Sequence, residues 1–204
     1  MDWKLPRLHS SASVGSRPGS TVGSTISSSG AEPRGEVFSL LSFELKRYSQ
    51  SGSKITAEVE SKVVNRCVLA ALEVLAREEA GVSLAGTAVR PIVQARFEGP
   101  ESPSRAARAA LSVLDAVRRV QRSRENEFRV VGSLACGRAV NDNGVVVETG
   151  STDRLLQRLR DRAAPGQILL SPDARDVCLD QVEVIPAGGV TRSAPDAYVL
   201  LGLR

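Results

Sequence analysis

Aromatic residues are scarce, with four Phe, two Tyr and one Trp in 204 residues. Binders of single-stranded nucleic acid rely on aromatic faces for base stacking, so this composition speaks against that class. Histidine is nearly absent: His9 is the only one, and the three cysteines, Cys67, Cys136 and Cys178, form no CxxC pair. A zinc site or a Cys–His nucleophile therefore has no residues to be built from. No apolar run approaches the ~20 residues of a membrane span, and no signal-type apolar block stands at the N-terminus. These absences predict a protein without membrane contact in a reducing, cytoplasmic setting. The charge imbalance is small as well. A formal +4 does not by itself imply a polyanionic partner, and none is expected.

Hydrophobic residues make up 42% of the chain, enough for one domain with a core of Val, Leu, Ile and Ala. Residues 1–35 stand apart. They hold nine serines, several Gly and Pro, and few large apolar residues beyond Leu8, so little there offsets the entropy of ordering. A disordered Ser/Gly/Pro-rich tail is expected over 1–35, and a folded domain over 36–204.

Periodicity sketches that domain. Val37 to Phe43 reads as a strand, with a polar turn through Ser49–Ser53. Thr56 caps a long helix to about Glu79, whose inner face is Val59, Val63, Cys67, Ala70, Ala71, Val74 and Leu75. From Gly81 to Gly99 the pattern becomes β, a hairpin turning at Gly86-Thr87 with Pro91 near its start or an edge. Ser102-Pro103 reads as an N-cap followed by proline at the first helical position. That helix runs to about Gln121, with Ala106, Ala110, Leu114 and Val117 inward and Arg105, Arg108, Arg118, Arg119 and Arg122 on a solvated face. Phe128 to Ala135 is a strand, Asn141–Gly144 a turn, and Val145–Val147 the returning strand. The stretch from Val146 to Ser171 adds a helix from Ser151 or Thr152, stopped at Ala164-Pro165-Gly166, and the strand Gln167–Ser171. A short helix after Ser171-Pro172 and strands near Val182–Ile185 and Ala197–Leu201 complete the order. The fold class is α/β of the α+β kind, a ferredoxin-like βαββαβ core with extra C-terminal strands and helices.

Five segments, taken in order, resemble the catalytic domain of class III adenylyl/guanylyl cyclases. Val37-Phe38 through Phe43 is similar to the family's first strand, FxDxxGFT. Glu98-Gly-Pro100 with Arg105–Leu111 resembles FGAP…AxxAAL. Phe128–Gly132 to Gly137-Arg138 resembles lrvriGIhtGe. Thr149–Thr152 through Leu159, then Ala164-Pro-Gly-Gln-Ile-Leu-Leu-Ser171, resembles IGdtVNlAaRLq…akpGqIlvS. Tyr198-Val-Leu200 resembles the closing vyrl. The likeness spans about 36–202 and implies a nucleotide cyclase-like fold.

The resemblance also implies a site that this chain lacks. Such cyclases hold two metal ions on two aspartates from adjacent strands, and the ions activate the ribose 3′-hydroxyl. A neighbouring subunit adds an asparagine and a transition-state arginine. The first aspartate position is matched by Leu40, with slack to Ser39 or Leu41, and no acid falls between Glu36 and Glu44. The second is matched by Pro91 or by Thr87, and no acid occurs from Ala80 to Phe97. Arg154 stands at the asparagine position, Ser151 where the family often has a base-contacting aspartate, and Arg158 retains the arginine. The expectation is a degenerate, catalytically inactive domain, with no catalytic residue beyond the vestigial candidate Arg158, no metal ligand and no cofactor. It would act as a dimerising or regulatory interaction module in signalling, a homodimer or a heterodimer with another cyclase-like or signalling protein. Alternatives are half of a heterodimeric cyclase that contributes Arg158 to a shared site, a nucleotide-binding sensor, and, last, a basic binder using the arginine face.

Overall fold

A computed structural model describes residues 36–48, 56–121, 127–142, 145–148, 151–188 and 195–204. The expected tail over 1–35, the turn at Ser49–Ser53 and Arg122 lie outside them. The elements run β1 (Glu36–Tyr48), α1 (Ala57–Arg77), β2 (Gly81–Thr87), β3 (Arg90–Glu98), α2 (Ser102–Val120), β4 (Glu127–Asp142), β5 (Val145–Glu148), α3 (Ser151–Arg162), β6 (Gln167–Leu170), α4 (Pro172–Cys178), β7 (Val182–Pro186) and β8 (Tyr198–Leu203). All eight strands join one sheet, ordered β2-β3-β1-β4-β6-β8-β7, with β5 paired to β4. The first four strands have the 2-3-1-4 order of a ferredoxin-like core, and the C-terminal strands extend it past β4. Pairing is antiparallel except between β4 and β6. Among the described residues, no helix is long and apolar enough to cross a membrane.

β1 sits in the middle of the ferredoxin-like half, and its alternation decides what lies on each face. Leu41, Phe43 and Leu45 enter a core shared with Val63, Cys67, Ala71 and Leu75 of α1 and Ala106, Ala110, Val113 and Val117 of α2. Ala174 and Cys178 of α4 join the same core. The opposite face is covered in part by α3, whose Leu159 packs with Val131, Leu169, Ala197 and Val199 in a second cluster.

The long first helix matches its sequence signals. Thr56 is extended at the N-cap, and its hydroxyl accepts from the Val59 amide at 3.4 Å. The buried row differs in part from expectation. Val64 is fully buried, whereas Val59 in the first turn stays 41% exposed. At α2 the expected cap moves by one residue. Glu101 occupies the N-cap position without a side-chain hydrogen bond, and Ser102 lies inside the helix with its Oγ 3.2 Å from Ser39 Oγ. Packing explains the shift, because Ser102 is fully buried and faces β1 rather than its own helix end. The arginine face of α2 is partly structural. Arg105 donates to the Glu78 carbonyl at the end of α1, and Arg108 Nη2 lies 3.4 Å from Glu78 Oε2. Cations at a helix C-terminus satisfy carbonyls that lack partners within the helix.

β1 and β4 are longer than the apolar runs suggest. β1 runs on past Phe43 to Tyr48, and β4 past Ala135 to Asp142, beyond the contiguous apolar runs. Gln121 closes the connection into β4, donating from Nε2 to the Phe128 carbonyl and accepting from the Phe128 amide. At Gly132 the strands and β6 approach so closely that an added Cβ would lie 2.6 Å from Ile168 Cδ1 and 3.0 Å from the Ser42 carbonyl oxygen. Gly132→Ala is therefore expected to destabilise the fold by about 1–3 kcal/mol, as overpacking of a filled core does. Equilibrium urea unfolding checks this, and an unchanged midpoint would contradict the tight approach.

Candidate functional site

The face of the sheet opposite α1 and α2 is left uncovered over β3 and β2, because α3 lies above β4, β1 and β6 and bonds through Arg160 to Ser42 of β1. Leu40, Arg96, Gln94 and Ser83 line a cavity of about 380 Å³ there, together with Asp153 and Leu156 of α3. Leu40 is half-buried and directly opposite Arg96. The Arg96 guanidinium lies 4.5 Å from the Phe38 ring centroid, and its Nε is 3.1 Å from Glu98 Oε1.

The positions matched to the two metal aspartates are not brought together. The register Leu40↔Arg96 continues to Glu44↔Ile92, so Pro91 lies five residues along β3 from the level of Leu40. At about 3.4 Å per residue this is roughly 17 Å. Thr87 pairs with Arg90 at the hairpin tip, farther still. Carboxylates that share a divalent ion each approach it to about 2.0–2.6 Å, so acids at these positions could not hold one ion between them. On β1 the residue level with Ile92 is Glu44, whose Oε1 lies 2.8 Å from Lys46 Nζ. Beside Leu40 the cavity offers one carboxylate, Asp153, and no group of three His, Cys, Asp or Glu side chains suited to a metal occurs among the described residues.

α3 carries the remaining matched positions. Arg154 and Arg158 are exposed on it, while the side chain of Ser151 lies outside the description. Arg158 lines a cavity of about 750 Å³ with Arg138 and Cys136 of β4, Thr152, and Asp173 and Asp176 of α4. Its walls thus bring two cations and two acids to one opening, a mixture suited to a polar or zwitterionic surface rather than to a bare polyanion. Leu40 and Arg158 line different cavities.

Two features of this region were not read from the sequence. Arg160, on α3, is only 8% exposed and donates to Ser42 Oγ at 2.7 Å, while its Nε has no hydrogen-bond partner. The one available signal was spacing, since Arg160 follows Leu156 by four residues and so shares its inward row. The second is a chain of small polar groups beneath the larger cavity. Ser102 Oγ meets Ser39 Oγ, which lies 3.3 Å from Cys136 Sγ. Burial raises the Cys136 thiol above its ordinary range, against the lowering effect of the Ser39 contact, and Asp173 raises it further.

Cys178 is fully buried in the helix-side core, and burial pushes its thiol from 9.0 up to about 12, with a smaller contribution from Cys136. Because the folded value is raised, the associated stability is fully present below pH ~9 and is lost as pH climbs from ~9 towards ~12, where the unfolded thiol ionises first. Urea unfolding across that window should show falling stability, and Cys178→Ala should show a lower but flatter profile. An equally steep profile in the variant would remove Cys178 as a cause.

No family model matches the chain, and no curated protein sequence does. Solved structures do match. A non-canonical dimeric guanylyl cyclase domain of the RhoGC fusion protein from the aquatic fungus Blastocladiella emersonii superposes with a TM-score of 0.61 at 12% identity, covering 83% of this chain and 98% of that one. The adenylyl cyclase CyaB from P. aeruginosa gives 0.60 at 13% identity, covering 82% and 96%. An adenylate/guanylate cyclase/hydrolase from Silicibacter pomeroyi gives 0.55 at 19% identity, covering 80% and 94%. Nearly the whole of each of these chains is therefore matched by the strands and helices described above. The likeness at such identities is one of architecture, and the chain has the fold of the adenylyl/guanylyl cyclase catalytic domains of class III.

Proposed function

We propose that this chain is a catalytically inactive cyclase-fold module that dimerises or binds a regulatory partner through the exposed sheet face of β3 and β2 beside the half-buried Leu40. The observation that carries this reading is the hairpin of β2 and β3, which holds no acid from Ala80 to Phe97, so no residue of β1 finds a second carboxylate there. Leu40, opposite Arg96, lines a cavity with one carboxylate. Two-metal activation of a ribose hydroxyl needs at least two hard oxygen ligands close together. A fold keeps its shape and surfaces when such ligands are lost, which supports an interaction role. The guanylyl cyclase domain of RhoGC, which has the same fold, crystallises both as a monomer and as a non-canonical dimer, so the fold is compatible with a dimeric reading here.

A second reading rests on Arg158. It is exposed on α3 and lines the larger cavity beside Thr152 and Arg138, as a residue contributed to a neighbouring subunit's site would need to be. In that case the chain supplies half of a heterodimeric cyclase. The arginine at 154 argues against it, because guanidinium donates only and cannot reproduce the amide's mixed donor and acceptor pattern.

Purified protein incubated with ATP or GTP and Mg²⁺ or Mn²⁺ is expected to form no cyclic nucleotide. Metal-dependent product above the no-enzyme control would overturn the inactive reading. Addition of an intact cyclase of the same fold separates the two readings: a gain in product that Arg158→Ala abolishes supports the shared site, and no gain supports the interaction module.

A further inference from the structure

The two edges of the sheet are built very differently. An edge strand presents a row of free backbone donors and acceptors, and proteins blunt it with charge, proline or a bulge. β7, at one edge, carries all three: Glu183, a register shift between Glu183 and Val184, and Pro186. β2, at the other edge, has none of them. Its sequence Gly81-Val-Ser-Leu-Ala-Gly-Thr87 contains no charged residue and no proline, its pairing with β3 is unbroken over all seven residues, and every one of them is exposed. Nothing among the described residues pairs with its outer side.

We propose that β2 is an interaction edge at which a second copy of this chain adds, antiparallel, about a twofold axis near Leu84, joining the two sheets edge to edge. Three features select a second copy over another strand. First, isologous pairing sets each strand against itself, which a charged strand resists through like charges opposite one another. β2 has no such charge. Second, Val82 and Leu84 lie opposite Ala95 and Val93 and so face the helix side, yet they remain 39% and 58% exposed. The twofold brings Leu84 against its own equivalent and Val82 beside it, covering both. Third, the ends are complementary in charge. Glu79 lies just before β2, its side chain 89% exposed, and the exposed Arg90 lies at the hairpin tip opposite Thr87. Antiparallel addition sets the acid end of each strand towards the arginine end of the other.

This edge is separate from the face through which the module was proposed to act, so the two can fail independently. Sedimentation equilibrium and native mass spectrometry of the wild-type chain, Leu84→Lys, Leu84→Glu and Leu40→Lys test it. Leu84 is exposed, so both of its variants should keep the wild-type circular dichroism, and the wild-type melting temperature at concentrations where the wild type is monomeric. The wild type is expected to dimerise. Each Leu84 variant alone should dissociate at least about tenfold more readily, since identical charges then meet at the axis. A mixture of Leu84→Lys with Leu84→Glu should restore a heterodimer. With both surfaces in use, the wild type exceeds a dimer, and each class of variant reduces it. Loss of self-association in Leu40→Lys with none in either Leu84 variant would overturn the edge and leave the face. A wild-type monomer at every concentration would overturn the edge as well, including the case in which residues 1–35 of the same chain occupy it.

Discussion

The pairing of β1 with β4, from Glu36↔Ala139 to Tyr48↔Glu127, is the constraint on which the rest of the structure depends. A ladder of that length fixes the pleat, and the pleat assigns every side chain of β1 to one of two environments. Leu41, Phe43 and Leu45 close the helix-side core, while Phe38, Leu40 and Ser42 face the other way. A slip of one residue would invert this assignment and put Ser42 and Glu44 among the helices. Gly132 sits within the ladder where β1 and Ile168 leave no room for a side chain, so the register is held sterically as well as by hydrogen bonds.

Much of the architecture was legible because local chemistry and tertiary burial agree. Thr56, Ser171-Pro172 and Gly166 mark helix ends in the sequence and do so in the structure, with Ser171 Oγ accepting from the Ala174 amide at 3.2 Å. The order of strands and helices followed from alternating periodicities. What hydrophobicity alone could not give was extent. The outer half of β1 holds Glu44, Lys46 and Arg47, so its contiguous apolar run stops at Phe43 while the ladder goes on to Tyr48. Ser102 failed as a predicted cap for a related reason: its hydroxyl serves a contact 63 positions away in sequence, which no local rule detects.

The matched site positions show the limit of aligning motifs without a register. Leu40, and Thr87 or Pro91, were each placed by their neighbours in sequence, and each placement is locally sensible. The ladder sets them about 17 Å apart or more along the strands, a relation that belongs to pairing and not to either motif. Arg160 was overlooked because an arginine among surface arginines carries no mark of its own. Its place on the row of Leu156 means that α3 meets the sheet through a buried guanidinium and the hydroxyl of Ser42. Removing that hydroxyl would leave a buried cation with less hydrogen bonding, which is more costly than never having had one.

Arg96 decides what position 40 can hold. Stacked on Phe38 and directly across from Leu40, it is the first partner a carboxylate there would meet. An aspartate at position 40 would thus be neutralised within the sheet as an ion pair, and a single acidic substitution there would add no free ligand to the cavity.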